Sequence, residues 1–526
     1  MQFKLHRSRF FYIPFCKERL LAAVLFLFVF PAFALASGDV QQRDIQSVKE
    51  LLKQAEKLVR KGEISEAERI LRRAVATYPQ EARPKLGLAY LLLKQKQLRP
   101  AHDLAFEVAE ADSKNSYAFA ILGAAHLAAG NFNEARILLT NAINLDDDEA
   151  LAWAGLGMLN FYENRIYTGL EFLRRAVYYD PKEPDFIFAY AQVAARAEEY
   201  KEAAQAYEKF LQVSPRTDTE RRDRIKGLIQ FLRFLGNRQS LYSISGKQAA
   251  NVPVTLINDR PIIELRVNGR RQPLKFVLDT GSGISVISQK TAEELGINPV
   301  ARGGVARAIG GDGKFEIVYG FLKKVDIGDV RISNVPVYIR EFHNKNEDIA
   351  GYVGLSLISK FLTTIDYGNL TFSLTKKDSI ENQADGPEKV TLPLRLTSSG
   401  FLSGEVQLEG VKNSLNFIVD TGASISVISD EVAGLEAVRR FARDEKLRVV
   451  GAAGITEDVP SYLLPRVTFG NHTREQIKAI ALDLDIINEA SGFEQAGILG
   501  GNFLKNYRVT FDFQNSRVMF VPIGQR

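Results

Sequence analysis

The sequence predicts a multidomain chain in which an α-helical repeat solenoid is followed by two all-β barrels that form a pseudo-dimer. Small and apolar residues recur with a period of 34 residues in the first half of the chain. After about Gln248 the pattern changes to the alternation typical of strands. Nearly the same thirteen residues then occur twice, as FVLDTGSGISVIS from Phe276 and as FIVDTGASISVIS from Phe417.

The composition is that of a globular chain with more than one domain. The 526 residues are 46% hydrophobic and 25% charged, with a formal net charge of +5. The first nineteen residues contribute +4 of that charge, so the remainder is close to neutral. The charge therefore gives no support for a nucleic-acid partner.

Residues 1–36 are predicted to be a signal peptide. A basic start leads into an apolar run from Leu20 to Phe30, and Ala34-Leu35-Ala36 supplies the small residues of a cleavage site. An uncleaved anchor is the alternative, and only that alternative involves a membrane. The single cysteine, Cys16, lies in this segment, so cleavage would leave no thiol for disulfides, catalysis or metal binding. An exported protein, in a bacterial periplasm, fits these features.

Five in-phase units carry the helical repeat. Five small residues follow one another at intervals of 34 residues: Ala67, Ala101, Ala135, Gly169 and Ala203. Small side chains at these places let paired helices approach closely. The pattern resembles the tetratricopeptide repeat over about residues 48–216. With a further capping helix the array is predicted to span 44–236.

The resemblance to tetratricopeptide repeats implies a superhelix whose concave face binds peptides or a protein partner. A spacer or a dimerisation arm remains the alternative. His102 and His126 are separate helical histidines, and the other histidines are distant in sequence, so neither a metal site nor a cofactor is expected.

Two β units follow, predicted at 251–378 and 389–526. The hairpin signal Asn268-Gly269 in the first unit corresponds to Glu409-Gly410 in the second at the same offset of 141 residues as the doubled segment. Each unit later contains an apolar-apolar-Gly turn, ending at Gly354 in the first and Gly500 in the second. A polar stretch that ends in Gly-Pro reads as the linker between the units.

The doubled segment places a carboxylate at the tip of a rigid turn between apolar strands. Asp279 ends one apolar strand, and Asp420 has the same surroundings. If the two copies face each other, the carboxylates meet, and two such groups about 3 Å apart share one proton. One can then take a proton from a water molecule while the other gives a proton to a carbonyl oxygen.

Asp279-Thr280-Gly281-Ser282 and Asp420-Thr421-Gly422-Ala423 resemble the active-site turns of aspartic proteases. The length of each copy is similar to the retropepsin-like branch, in which each unit supplies one aspartate. The resemblance implies that Asp279 and Asp420 form the catalytic dyad. It also implies that Thr280 and Thr421 bond across the pseudo-dyad, and that Gly281 and Gly422 permit the turn.

The family also closes β-hairpin flaps over an extended substrate, and two glycine-rich loops correspond to them. The predicted flap and substrate-binding residues are Ile309, Gly310, Gly311, Ala453, Gly454 and Ile455.

These features predict an aspartic endopeptidase that hydrolyses peptide bonds with a water activated between Asp279 and Asp420, while the repeat array recruits protein substrates or regulators. The alternative is a non-catalytic repeat scaffold whose barrels only bind peptides. Pairing of the two units within one chain or between two chains stays open.

The two turns differ at one polar position. Ser282 can donate a hydrogen bond to the neighbouring carboxylate, whereas Ala423 cannot. A hydrogen bond to the ionised form lowers a pKa, so Asp279 is predicted to be the more readily ionised member.

Overall fold

The computed structural model describes residues 47–237, 240–311, 313–344, 348–377 and 390–524. The predicted signal peptide, the first residues of the predicted repeat domain at 44–46, and the whole of the predicted linker lie outside these ranges. None of the helices in the described part of the chain is long and apolar enough to cross a membrane.

Eleven helices build the solenoid within the described residues. They are α1 (Val48–Lys61), α2 (Ile64–Thr77), α3 (Ala82–Lys94), α4 (Leu98–Ala111), α5 (Ser116–Ala128), α6 (Phe132–Leu145), α7 (Ala150–Tyr162), α8 (Ile166–Tyr179), α9 (Pro184–Arg196), α10 (Tyr200–Val213) and α11 (Thr219–Gly236).

The predicted small positions lie where helices touch. Ala67, Ala101, Ala135 and Ala203 are fully buried. A Cβ on Gly169 would lie 2.7 Å from the Gly157 carbonyl oxygen, so the second helix of that pair approaches the first backbone to backbone. The helical repeat architecture predicted from the sequence is confirmed.

The first β unit runs from residue 243 to residue 376. Its strands are β1 (Ser243–Gly246), β2 (Ala249–Pro253), β3 (Thr255–Ile257), β4 (Arg260–Val267), β5 (Leu274–Leu278), β6 (Ser285–Ser288), β7 (Ala301–Arg307), β8 (Lys314–Ile327), β9 (Val330–Arg340), β10 (Gly351–Val353), β11 (Phe361–Asp366) and β12 (Thr371–Lys376), with short helices α12 (Gln289–Glu294) and α13 (Leu355–Ile358).

The second unit repeats this plan. It contains β13 (Val390–Pro393), β14 (Arg395–Leu396), β15 (Leu402–Leu408), β16 (Leu415–Val419), β17 (Ser426–Ser429), β18 (Ala442–Gly451), β19 (Gly454–Phe469), β20 (His472–Leu482), β21 (Gly497–Leu499), β22 (Tyr507–Asp512) and β23 (Arg517–Pro522), with α14 (Asp430–Gly434), α15 (Glu436–Arg439), α16 (Asp485–Ser491) and α17 (Gly501–Leu504).

The strand pairings show the duplication. One sheet has the order β1-β9-β6-β10-β5-β4-β8-β7, and the other has the order β14-β15-β16-β21-β17-β20-β19-β18. Additional pairing joins β8 to β9 in the first unit and β15 to β19 in the second. Two β-rich bodies therefore follow the solenoid, as the sequence predicted.

A six-stranded sheet joins the two units. Its order is β13-β23-β22-β11-β12-β2, so each unit supplies three strands. At its centre β11 pairs antiparallel with β22, with Thr364 opposite Thr510. One hydrophobic core contains buried side chains of both units, which fixes their relative position.

The first unit begins before the predicted boundary at residue 251. The four residues of β1, Ser-Ile-Ser-Gly, pair antiparallel with β9, with Ser243 opposite Ser333. Such a short, half-polar edge strand has too little alternation to be recognised from sequence alone.

The solenoid packs against both β units. The core of its middle and last repeats also contains Ala301, Ile317 and Tyr319 of the first unit and Phe493 of the second. Helix α11 lies on strand β7 so closely that a Cβ on Gly227 would stand 2.7 Å from the Arg302 carbonyl oxygen. The capping helix of the array is therefore fixed to a hairpin of the first unit.

Candidate active site

Each Asp-Thr-Gly turn follows a buried strand that a second strand supports. β10 pairs in parallel with β5, and the Asp279 N–H donates to the Val353 carbonyl oxygen at 3.0 Å. β21 pairs in the same way with β16, and the Asp420 N–H donates to the Leu499 carbonyl oxygen at 3.0 Å. The aspartates occupy equivalent places in the two units.

Each apolar-apolar-Gly turn is hydrogen-bonded to the strand that follows the aspartate turn of the same unit. The Gly354 N–H donates to Ser285 Oγ at 3.1 Å, and the Gly500 N–H donates to Ser426 Oγ at 3.1 Å. The serines come from the repeated Ser-Val-Ile segment. The two duplicated parts of each copy are thus one structural unit that holds its aspartate.

Two threonines join the turns across the pseudo-dyad. The Thr280 hydroxyl donates to the Val419 carbonyl oxygen, and the Thr421 hydroxyl donates to the Leu278 carbonyl oxygen, both at 2.7 Å. Each hydroxyl also accepts the backbone N–H of the opposite threonine at 3.1 Å. Because both side chains are fully buried, water does not compete for these four bonds, and they hold the aspartates in register.

The glycines of the turns leave room for the opposite carboxyl group. A Cβ on Gly281 would lie 2.6 Å from Asp420 Oδ1, and a Cβ on Gly422 would lie 2.6 Å from Asp279 Oδ1. Such distances are well inside van der Waals contact. Each glycine is needed because the carboxyl of the other unit packs directly over it.

The two carboxyls share a hydrogen bond, and their pKa values are both raised but unequally. Burial is the largest cause for both groups. The pKa of Asp420 stands well above its ordinary value, because the charge of Asp279 adds to burial. For Asp279 the hydrogen bond from Ser282, at 2.6 Å, opposes the rise of its pKa. This asymmetry has the direction predicted from Ser282 and Ala423.

Two hairpin tips meet above the aspartates. The strands β7 and β8 form one hairpin and β18 and β19 the other. The Ala453 N–H donates to the Ile309 carbonyl oxygen at 3.0 Å, and Gly311 faces the Ala453 carbonyl. Gly310 and Gly454 have φ values of +97° and +146°, which residues with side chains rarely adopt.

The tips enclose a cleft of about 620 Å³ that contains both aspartates. Of the predicted flap residues, Ile309 lines the cleft. Gly310, Gly311, Ala453 and Gly454 instead form the contact between the two tips, and Ile455 continues into β19.

Several cleft residues were not predicted, because strands distant in sequence bring them there. The chief ones are Arg307, Arg340, Phe342, Tyr352 and Leu482. A usable signal existed for Arg340 alone: it is a charged residue at the end of the apolar strand segment Pro336–Arg340.

Two groups of titratable side chains lie together in the array, outside the cleft. His102 and His126, expected to be separate, lie edge to face with ring centroids 5.5 Å apart. Burial lowers the pKa of His126 to about 4. The carboxylates of Asp146, Asp147 and Asp148 lie within 4.8 Å of one another at the exposed surface of the array.

Sequence comparison places these features among known families. The profile of a family described as aspartyl protease matches residues 263–357 and 404–503. The profile of the tetratricopeptide repeat matches residues 58–124. A search of curated protein sequences finds no match to the chain.

The solved structures similar to the chain each match about a third of it. A thermophilic tetratricopeptide repeat protein from Thermus thermophilus is 19% identical, with 34% of this chain and 95% of that chain covered and a TM-score of 0.29. The pilF protein of Pseudomonas aeruginosa is 17% identical, with 36% and 86% covered and a TM-score of 0.27. From the family profiles, the chain carries a retropepsin-like aspartyl protease domain in two segments, preceded by tetratricopeptide repeats.

Proposed function

We propose that the protein is an aspartic endopeptidase whose single active centre is formed by Asp279 and Asp420. The observation that carries the proposal is the threonine pair, which brings the two carboxyls together in one cleft. A module that only binds peptides has no chemical need for two aspartates that share a hydrogen bond.

The unequal pKa values assign the roles of the two aspartates. Asp279 is the more readily ionised group, so it takes a proton from the attacking water. Asp420 keeps its proton because burial and the charge of Asp279 raise its pKa, and it gives that proton to the carbonyl oxygen of the scissile bond. The water oxygen bonds to the carbonyl carbon. Asp279 then gives the proton it took from the water to the leaving nitrogen, and Asp420 takes a proton back from a hydroxyl of the intermediate, so the C–N bond breaks and the amine and the carboxylic acid are released.

The test is hydrolysis of a diverse peptide pool by the mature protein at several pH values, with and without a pepstatin-type inhibitor. Cleavage that the inhibitor blocks, and that is lost in Asp279→Asn, supports the proposal. If wild-type protein cleaves no peptide and a partner protein co-purifies with it, the non-catalytic scaffold is the better description.

The repeat array is proposed to recruit protein substrates or regulators. A cavity of about 900 Å³ lies along its inner face and reaches Glu489 and Gly492 of the second β unit. An ion cluster lies between this cavity and the cleft: Arg307 contacts Glu220 of α11 and Glu489, both at 3.1 Å. A chain held in the array is therefore next to the cleft. Crosslinking of bound protein to the inner face, abolished by competing substrate, would support this role.

Export to a bacterial periplasm is proposed from the basic and apolar pattern of residues 1–36. Determining the first residue of the protein isolated from the host tests it: a start at Ser37 supports cleavage, whereas a start at Met1 supports the uncleaved anchor.

A further inference from the structure

Arg340 lies inside the cleft at the end of strand β9. Its guanidinium is held among three aromatic rings, those of Phe315, Phe342 and Tyr352, at 5.6, 4.8 and 5.7 Å from the ring centroids. These rings orient a planar cation and shield it from water. The side chain is therefore placed and partly desolvated before any substrate binds.

The hydrogen bonds of this guanidinium go to carbonyl oxygens. Nη1 donates to the Ala452 carbonyl oxygen in the opposite hairpin tip at 3.0 Å and to the Glu341 carbonyl oxygen at 3.2 Å. Within the described part of the chain no carboxylate forms an ion pair with Arg340. A carboxylate can accept two parallel N–H bonds from a guanidinium and also compensates its charge, which a neutral carbonyl does not do, so a substrate carboxylate can replace these carbonyls.

Of the other arginines that line the cleft, Arg307 and Arg448 have carboxylate partners. Arg307 contacts Glu220 and Glu489, and Arg448 pairs with Glu457 at 2.8 Å. Their charges are already compensated by ion pairs. Arg340 forms no ion pair within the described residues, and its charge instead helps to keep down the pKa of Asp279.

The second unit has no cation at the equivalent place. Ser288 stands opposite Arg340 in the pairing of β6 with β9, and Ser429 stands opposite Leu482 in the pairing of β17 with β20. Leu482 lies in an aliphatic cluster that includes Ile480 and Ile498. At this equivalent place the cleft is thus cationic in the first unit and aliphatic in the second.

We propose that Arg340 forms a subsite for a carboxylate of the peptide substrate, so that the cleft selects peptides with an acidic group on one side of the scissile bond and an aliphatic side chain on the other. This proposal rests on the endopeptidase function proposed above. The carboxylate comes either from an internal Glu or Asp or from the C-terminus of the peptide, and a bidentate bond to the guanidinium fits both.

The experiment compares matched peptides cleaved by the full-length mature protein at about pH 6, where a free glutamate is ionised. For each position near the cleaved bond, one pair of peptides has either Glu or Gln at that position. A further pair has either a free or an amidated C-terminus. We expect kcat/KM to be about tenfold to a hundredfold higher for the acidic member of one pair. The pair that shows the preference identifies the source of the carboxylate.

Variants assign the preference to Arg340. In Arg340→Gln the ratio of kcat/KM values should fall to about one, and Arg340→Lys should keep a reduced preference because it keeps the charge but loses the bidentate fork. Leu482→Gln, at the equivalent place in the other unit, is the matched control: it should lower kcat/KM for both members of a Glu/Gln pair alike and keep their ratio, because it removes no cation. Equal cleavage of both members of every pair by wild-type protein, or an unchanged ratio in Arg340→Gln, overturns the proposal.

Binding separates this proposal from the proposed function. If wild-type protein cleaves nothing, the endopeptidase function fails, but fluorescence anisotropy of the same labelled peptides still tests the subsite. Tighter binding of the acidic member that is lost in Arg340→Gln supports a carboxylate subsite in a non-catalytic cleft. Equal binding of both members contradicts it.

Discussion

Thr280 and Thr421 determine how the two aspartates meet. Each side chain bonds to the backbone of the other copy. The two bonds that the hydroxyls donate are both 2.7 Å long, and the two that they accept are both 3.1 Å long, so the buried bonds are symmetric. The difference between the copies comes instead from Ser282, because Ala423 offers no hydroxyl. The threonines therefore hold the two carboxyls in equivalent positions, and the difference between Ser282 and Ala423 makes Asp279 the more acidic of the two.

Ser282→Ala should move the acidic limb of the pH–rate profile to higher pH. The serine hydrogen bond favours ionised Asp279 and opposes the burial that raises its pKa. Removing the bond raises that pKa further, so activity is lost at a higher pH as the solution is acidified. Kinetics of peptide hydrolysis from about pH 3 to pH 8 measures the limb.

Ala423→Ser is the matched control for this change. The added hydroxyl stands beside Asp420 and should lower the pKa of that group. The alkaline limb of the pH–rate profile should therefore move to lower pH, and the acidic limb should stay in place. An identical acidic limb in Ser282→Ala and wild type would contradict the assignment of Asp279 as the base.

At the level of elements, the hairpin β7–β8 makes packing contacts at both ends. Its tip contacts the tip of the second hairpin, and its base packs against helix α11. Tyr319 of β8 stacks on Phe231 of α11 with ring centroids 4.4 Å apart. The bulge in β7 between Arg302 and Val305 brings its backbone against the helix. The capping helix of the array therefore supports one of the two hairpins that cover the cleft.

Gly227→Ala should destabilise the protein although alanine favours helices. A Cβ at this position would lie 2.7 Å from the Arg302 carbonyl oxygen and closer still to that of Gly303. Backbone cannot give way as a side chain can, so we expect a loss of about 1–3 kcal/mol in the free energy of unfolding. Urea unfolding measures it.

Gly434→Ala serves as the control, since a Cβ there meets nothing within 4 Å. If Gly227→Ala were as stable as this control, the close packing of α11 on β7 would be wrong.

At the level of the whole molecule, the array and the protease units form a continuous structure in the described residues. Phe132 of the array packs against Phe493 of the second unit, with ring centroids 5.0 Å apart. The Asn164 side-chain amide donates a hydrogen bond to the Phe513 carbonyl oxygen at 2.8 Å. Together with α11 on the first unit, these contacts bind the array to both halves of the active centre.

Unfolding of the array and loss of the active centre should therefore occur in one transition. Trp153, the single tryptophan, is buried in α7 and donates from its indole to the Asp147 carbonyl oxygen at 2.7 Å, so its fluorescence reports on the array. The midpoint of its change on heating should coincide with the loss of peptide hydrolysis. Two separate midpoints would show that the array and the protease units unfold independently.

The sequence was sufficient for features that are repeated and local. The 34-residue period identified the small residues between helices, and the doubled Asp-Thr-Gly turn identified the aspartates, the threonines and the glycines. It showed Arg340 as a charge at the end of an apolar segment, but it could not place Arg340 or Tyr352 in the cleft with Asp279, because both come there on β9 and β10. The packing of Gly227 on β7 was equally hidden, because nothing local distinguishes that glycine from one in an exposed helix.

The central claim is that one chain supplies both halves of a single active centre, and mixing two inactive variants tests it most directly. Asp279→Asn and Asp420→Asn should each reduce kcat for peptide hydrolysis by about 10²–10⁴-fold. An equimolar mixture, unfolded and refolded together, should stay as inactive as either variant, because Thr280 and Thr421 join aspartates of the same chain. Full activity in either single variant, or recovery of activity in the mixture, would contradict the account.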